Sequence, residues 1–182
     1  MSQAPVVLLG VTGGIAAYKS AALTSLLTRA GVDVRVIMTQ NATQLVAPRT
    51  FQALSNNPVY TEMFFNGSSA HPHIDLARQC DLMCVAPATA NFLAKAAIGL
   101  ADDLLSTTVL AFAGPILVAP AMNETMWSKP AVKRNVKTLL KDGFIFIGPE
   151  KGRFSCGESG EGRMTEPEQI LQRILDLLPK SK

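Results

Sequence analysis

The chain has 182 residues, 48% of them hydrophobic and 17% charged, with a formal net charge of +3. That length suits one domain with a substantial core, and the apolar content is too high for disorder. There is no apolar run of the roughly 18 to 20 residues that a membrane span needs, no Lys/Arg block of the kind that tracks nucleic acid, and no basic signal segment in Met1-Ser2-Gln3-Ala4-Pro5. The expectation is a soluble, cytoplasmic protein, residues 1–182 forming a single domain with neither a membrane nor a nucleic-acid partner. Cys80, Cys84 and Cys156 are an odd number without a C-x-x-C pair, which speaks against a disulfide framework and against a metal site. Cys80 and Cys84 flank an apolar run and read as small core residues.

In chain order, Pro5 to Val11 is a short apolar run closed by Thr12-Gly13-Gly14, the look of a buried parallel strand. Leu23, Leu26, Leu27 and Ala30 then fall at helical spacing, with Gly31 as the stop. Val32 to Met38 is a second strand with Val32, Val34, Val36 and Met38 on one face. This opening β-α-β unit is the building block of an open parallel sheet. Residues 56–72 are the least regular part and are expected to be a surface segment. Leu82 to Ala86 is the next strand, Ala90 to Ile98 and Ala101 to Ala113 are helices, and Ile116 to Ala119 is a strand. Val132, Val136, Leu139 and Leu140 line a helix that ends at Gly143, before a strand from Phe144 to Ile147. The polar stretch 152–164, GRFSCGESGEGRM, reads as a flexible loop with one thiol. Thr165-x-x-Glu168 reads as a capping box that opens a last helix on Ile170, Ile174, Leu177 and Leu178. The fold class is therefore α/β: a single-domain, Rossmann-like (flavodoxin-like) open parallel sheet of about five strands with helices on both faces.

Ligands of such sheets sit beyond the carboxyl ends of the strands. VTGGIAAYK, after the first strand, offers glycines through which backbone N–H groups can approach a phosphate at a helix start, although a tight turn alone would also explain them. The second strand ends in Met38-Thr39-Gln40-Asn41, with no acid to hold a dinucleotide's ribose, so a mononucleotide fits better than NAD. Thr89, in APATAN, is either a ligand-binding hydroxyl or a plain N-cap, and Asp102-Asp103 can be first-turn acids of a helix. Asn123 lies in the loop after the Ile116 strand, where its donors and acceptor suit a carboxylate. Met122, Met126 and Trp127 either pack or cover a flat ring. His73 and Arg78 sit on the approach to the Leu82 strand, where a histidine is most often structural and an arginine exposed.

Together, TGGIAAYK, HIDL, APATAN, GLADDLLST, PAMNETMW and SCGESGEGRM form an ordered set from about Val6 to Pro167 that resembles the homo-oligomeric flavin-containing cysteine decarboxylases, most closely the branch acting on 4′-phosphopantothenoylcysteine. The resemblance implies His73 as catalytic histidine, Asn123 as the residue gripping the substrate carboxylate, and Cys156 as the acid. It implies FMN with its phosphate near Gly13, Gly14, Ile15 and Thr39, and its ribityl chain and ring at Thr89, Ala90, Asn91 and Ala121. Substrate contacts would come from Asn123, Met122, Arg78 and Gly157, with no metal. A homotrimer or a dodecamer of four trimers is implied, with flavin sites between subunits. A phosphopantothenate–cysteine ligase is the implied fused domain or partner. The implied reaction is redox-neutral: thiol oxidation to a thioaldehyde, loss of CO2 to an enethiol, then reduction, with Cys156 giving the proton. Peptidyl-cysteine decarboxylases of the lantibiotic type lack the lid cysteine and stop at the enethiol. Flavin prenyltransferases lack the PAMN and S-C-G pair, and phosphatase-inhibiting relatives carry acidic tails; all three rank lower.

Overall fold

The computed structural model describes residues 4–64, 71–153 and 159–179. Its strands are β1 (Val6–Val11), β2 (Asp33–Met38), β3 (Val59–Tyr60), β4 (Leu82–Ala88), β5 (Ile116–Pro120), β6 (Ile145–Phe146), β7 (Glu150–Arg153) and β8 (Ser159–Arg163). The helices are α1 (Ala17–Arg29), α2 (Gln40–Thr43), α3 (Pro48–Ser55), α4 (Pro72–Gln79), α5 (Ala90–Ile98), α6 (Leu104–Ala111), α7 (Glu124–Ser128), α8 (Pro130–Lys141) and α9 (Pro167–Leu177).

Among the described residues, the first six strands form one parallel sheet in the order β3-β2-β1-β4-β5-β6. Every residue of β1, β4 and β5 is buried, as expected of strands covered on both faces, whose sequences run apolar without a polar alternate. Side chains still alternate between two separate cores. Val7, Leu9, Val11, Val34, Val36 and Met38 face α1, α3 and α9 through Leu23, Leu27, Phe51, Ile170 and Ile174. Val6, Leu8, Met83, Val85 and Val118 face α4, α5, α6 and α8 through Leu76, Phe92, Leu93, Leu105 and Leu139. Helices therefore cover both faces of the sheet, as expected. Among the described residues, no helix is long and apolar enough to cross a membrane.

Four local expectations are corrected. The parallel sheet has six strands, because Val59–Tyr60, within the segment expected to be irregular, pairs with β2. The helix expected over 101–113 spans Leu104–Ala111: Asp103 caps it, accepting from Ser106 N while Ser106 Oγ accepts from Asp103 N. No capping box forms at Thr165. Glu166 is the N-cap of α9, its side chain caps nothing, and Pro167 opens the helix. Leu140 is 53% exposed and leaves the apolar face of α8 to Val132, Val136 and Leu139.

The polar stretch expected to be a flexible loop is in part ordered. Its arms, β7 and β8, pair as an antiparallel ladder, and residues 154–158 lie outside the described residues. Because β1 is followed on one side by β2 and β3 and on the other by β4 to β6, connections leave the sheet in opposite directions between β1 and β4. That reversal opens a crevice at the carboxyl ends of those two strands.

Candidate functional site

Two loops meet in that crevice. Thr12, buried at the end of β1, donates its hydroxyl hydrogen to Pro87 O at 2.6 Å and accepts from Thr89 N at 3.1 Å, and its hydroxyl lies 3.3 Å from that of Thr89. Ser20 Oγ donates to Ala86 O at 2.6 Å. The glycine turn and the start of α5 are thus fixed to each other by buried polar bonds, which hold a unique geometry when fully paired. Thr89 is the N-cap of α5 and accepts from Phe92 N at 3.4 Å, so the capping role holds while the same residue lines the crevice. Helix α1 starts with neither a side-chain cap nor an acid in its first turn. The positive end of its dipole therefore faces the Gly13–Gly14 turn uncompensated. A Cβ on Gly13 would lie 2.3 Å from Asn41 Cβ and 3.1 Å from Asn41 C, so only glycine lets this turn approach α2 so closely.

Two clefts run out from this junction. The first, of about 440 Å³, is walled by Thr39, Asn41, Asn91, Lys95, Asp102 and Asp103. The second, of about 760 Å³, is walled by Gly14, Ile15, Ala121, Met122, Asn123 and Arg163. Gly13, Thr89, Ala90 and Met126 line both, which makes them two arms of one groove. Met126 is 45% exposed there, whereas Trp127 is buried in the core with the Lys133 ammonium 4.1 Å from its ring centroid. The sequence left both open between packing and ring contact, and the structure separates them.

In the first arm Lys95 Nζ sits 2.6 Å from Asp102 Oδ1 and 2.8 Å from Asp103 Oδ2. Burial works against the Lys95 charge, but hydrogen bonds to the two aspartates outweigh it and raise its pKa. Burial likewise opposes the Asp103 carboxylate, while Lys95 and the Ser106 bonds hold its pKa below the ordinary value. In the second arm Asn123 is the N-cap of α7, its Oδ1 accepting from Met126 N at 2.9 Å. A backbone N–H can only donate, so the amide oxygen is fixed there and, among the described residues, both Nδ2 hydrogens remain for another acceptor.

Strand β8 closes this arm. Met122 N donates to Gly162 O at 2.9 Å, and Glu161 N donates to Glu124 Oε1 at 3.4 Å. Gly162 (φ +148) allows this docking, since a Cβ would lie 2.1 Å from Met122 O. A glycine expected to give mobility instead gives close contact. Arg163 pairs with Glu166, whose pKa is lowered first by its hydrogen bond from Lys19 and then by Arg163.

His73 and Arg78 lie on α4 and line neither arm of the groove. Arg78 is exposed, and His73 is half-buried with a buried Nδ1 that has no hydrogen-bond partner among the described residues. Cys156 and Gly157 lie outside the described residues. Thr12, Lys19 and Glu124 also shape the groove, and their only signal in the sequence is that they fall within TGGIAAYK and PAMNETMW. Burial raises the thiol pKa of Cys80 and of Cys84 to about 12. At pH 8 their thiolate fraction is on the order of one part in ten thousand. Alkylation of the native chain at pH 8, followed by peptide mass spectrometry, should leave both unlabelled.

The family model described as "Flavoprotein" matches residues 1–178. The chain is 53% identical over 167 residues to the coenzyme A biosynthesis bifunctional protein CoaBC of Bacillus subtilis, a match covering 91% of this chain and 41% of that one. It thus spans about two-fifths of the length of the curated relatives it matches. Among solved structures, a cysteine-to-serine variant of PPC decarboxylase complexed with pantothenoylaminoethenethiol superposes with a TM-score of 0.87 at 32% identity, over 95% of this chain and 97% of that one. The FMN-dependent cysteine decarboxylase SpaF superposes with a TM-score of 0.81 at 35% identity, over 96% of this chain and 97% of that one.

Proposed function

The chain belongs to the flavoprotein family, and from that premise we propose that it is an FMN-dependent decarboxylase converting 4′-phosphopantothenoylcysteine to 4′-phosphopantetheine in coenzyme A synthesis. The observation that carries the reading is the groove at the β1–β4 junction, which joins a glycine turn at an uncapped helix start to an asparagine with two unspent amide donors. A groove of this size suits a mononucleotide. The flavin phosphate belongs at Gly13, Gly14 and Ile15 on the N-terminal end of α1, within reach of Thr39, whose hydroxyl does not cap α2. Thr89, Ala90, Asn91 and Ala121 would hold the ribityl chain and ring. When bound, FMN supplies a reversible two-electron acceptor that the protein's side chains cannot provide.

The chain's own residues do the rest. Asn123 presents its Nδ2 donors to the substrate carboxylate, and Met122 borders the same wall. His73, with an unspent ring nitrogen, takes up the thiol proton or orients the carboxylate. Because α4 lines neither arm of its own groove, His73 and Arg78 act on the groove of a second copy, in a homotrimer or a dodecamer of trimers. Exposed Ile15 and Tyr18, each 62% accessible at the groove mouth, suit such a contact. Cys156, with Gly157 beside it, delivers the proton that completes the thiol. In this reading residues 1–182 are one catalytic domain, and a phosphopantothenate–cysteine ligase, fused or separate, supplies the substrate.

The likeness to SpaF supports an FMN-dependent cysteine decarboxylase without fixing the substrate, and the second reading is a peptidyl-cysteine decarboxylase that releases the enethiol; the presence of Cys156 argues against it. The test is direct: the purified chain should carry flavin absorbance and release CO2 from phosphopantothenoylcysteine. Gly13→Ala should lose most of its flavin, because the added methyl displaces Asn41 and the turn that holds the phosphate. A Gly13→Ala protein with full flavin content would contradict the assignment of this turn.

A further inference from the structure

Lys19 is a lysine in an unexpected place. It lies in the first turn of α1, where the helix dipole disfavours a cation, and it is only 7% exposed. A buried ammonium is tolerated only when paired and hydrogen-bonded. Its partners come from the far end of the chain: Nζ donates to Glu166 Oε1 at 2.9 Å and to Met164 O at 3.2 Å. Glu166 is the N-cap of α9, a position usually filled by the shorter Ser, Thr, Asn or Asp, and its side chain makes no cap bond. It is held instead by Lys19 and Arg163. Directly before it run Gly162 and Met164: Gly162 O accepts from Met122 N at 2.9 Å, next to Asn123, and Met164 is 1% exposed. An unbroken path of bonds thus leads from the first turn of α1 to the loop that carries Asn123.

We propose that Lys19 is a positioning residue: by clamping Met164 and Glu166 to α1, it holds the Gly162 strand against the Met122–Asn123 loop and so sets where the Asn123 amide stands relative to the glycine turn. This rests on the reading of the groove as the decarboxylation site. Both ends of the clamp border the same cleft, since Lys19, Asn123, Gly162 and Met164 all line it. The glycine turn and the Gly162 strand come from opposite ends of the sequence, and Lys19 joins them.

The test uses the full flavin-loaded chain with Lys19→Met, Lys19→Arg and Glu166→Gln, reading amide hydrogen exchange at Met122 together with KM and kcat. Loss of the charge-assisted bond should speed Met122 exchange about tenfold or more. In Lys19→Met, kcat should fall by about tenfold with KM within about twofold. Lys19→Arg should recover part of both losses, and Glu166→Gln should reproduce them. Should Lys19→Met fail to fold, Glu166→Gln, which keeps the side chain's shape, decides alone. Unchanged Met122 exchange overturns the proposal, as does a raised KM at unchanged kcat or a loss of flavin, either of which would make Lys19 a ligand contact. If the wild-type chain decarboxylates nothing, the functional reading fails, while the exchange result still decides whether the clamp exists.

Discussion

Cys156→Ser is expected to release CO2 and then stall, accumulating the enethiol instead of 4′-phosphopantetheine. Reduction of an enethiol needs a proton delivered to carbon, and general acid catalysis of such a step is worth about a hundred- to ten-thousandfold in rate. A thiol is a far stronger acid than an aliphatic hydroxyl, so replacing it with serine weakens the proton donor. Cys80 and Cys84 cannot substitute, being buried in the two cores with pKa values of about 12. Mass spectrometry of the small molecules after a single turnover is the check. Finished thiol at the wild-type rate would remove Cys156 from the mechanism.

The second large effect is expected of Gly162→Ala. Its Cβ would lie 2.1 Å from Met122 O and 3.2 Å from Met122 C, backbone atoms that cannot swing aside, and φ is +148. Either β8 lifts off the Asn123 loop or the loop itself moves. Lost hydrogen bonding and backbone strain together should cost at least about 2 kcal/mol, or about 4–8 °C in Tm for a chain of this size. Gly31→Ala is the control: φ there is +81, but nothing lies within 4 Å of the added methyl. It should pay only the backbone term, about 1 kcal/mol, with kcat/KM unchanged. Gly162→Ala should in addition lose kcat/KM by about tenfold or more, because Asn123 moves with the loop. Equal thermal and kinetic behaviour of the two variants would contradict the docking role of Gly162.

The sequence made the sheet legible because buried parallel strands are written as bare apolar runs, as in Val6–Val11 and Leu82–Ala88, each followed by a small-residue turn. It hid β3, since two residues carry no periodicity, and it hid β7 and β8, whose glycines and charges read as a loop. The docking of β8 depends on Gly160 and Gly162 fitting against Glu124 and Met122, a tertiary fact with no local signature. The capping box at Thr165 fails because the helix starts one residue later than that pairing needs, with Glu166 as N-cap and Pro167 at its first position. The groove residues Gly13, Thr89 and Asn123 were legible because each lies within three residues of a strand's carboxyl end. His73 was legible only through resemblance, and the structure leaves it outside both arms of its own chain's groove.

The most direct measurement is the mass of the organic product that the purified chain makes from 4′-phosphopantothenoylcysteine, read beside the CO2 released. One CO2 per substrate with 4′-phosphopantetheine as the product is the predicted result. CO2 with a product lacking two hydrogens, the enethiol, would contradict the assignment of a completed reduction, and no CO2 at all would contradict the decarboxylase itself.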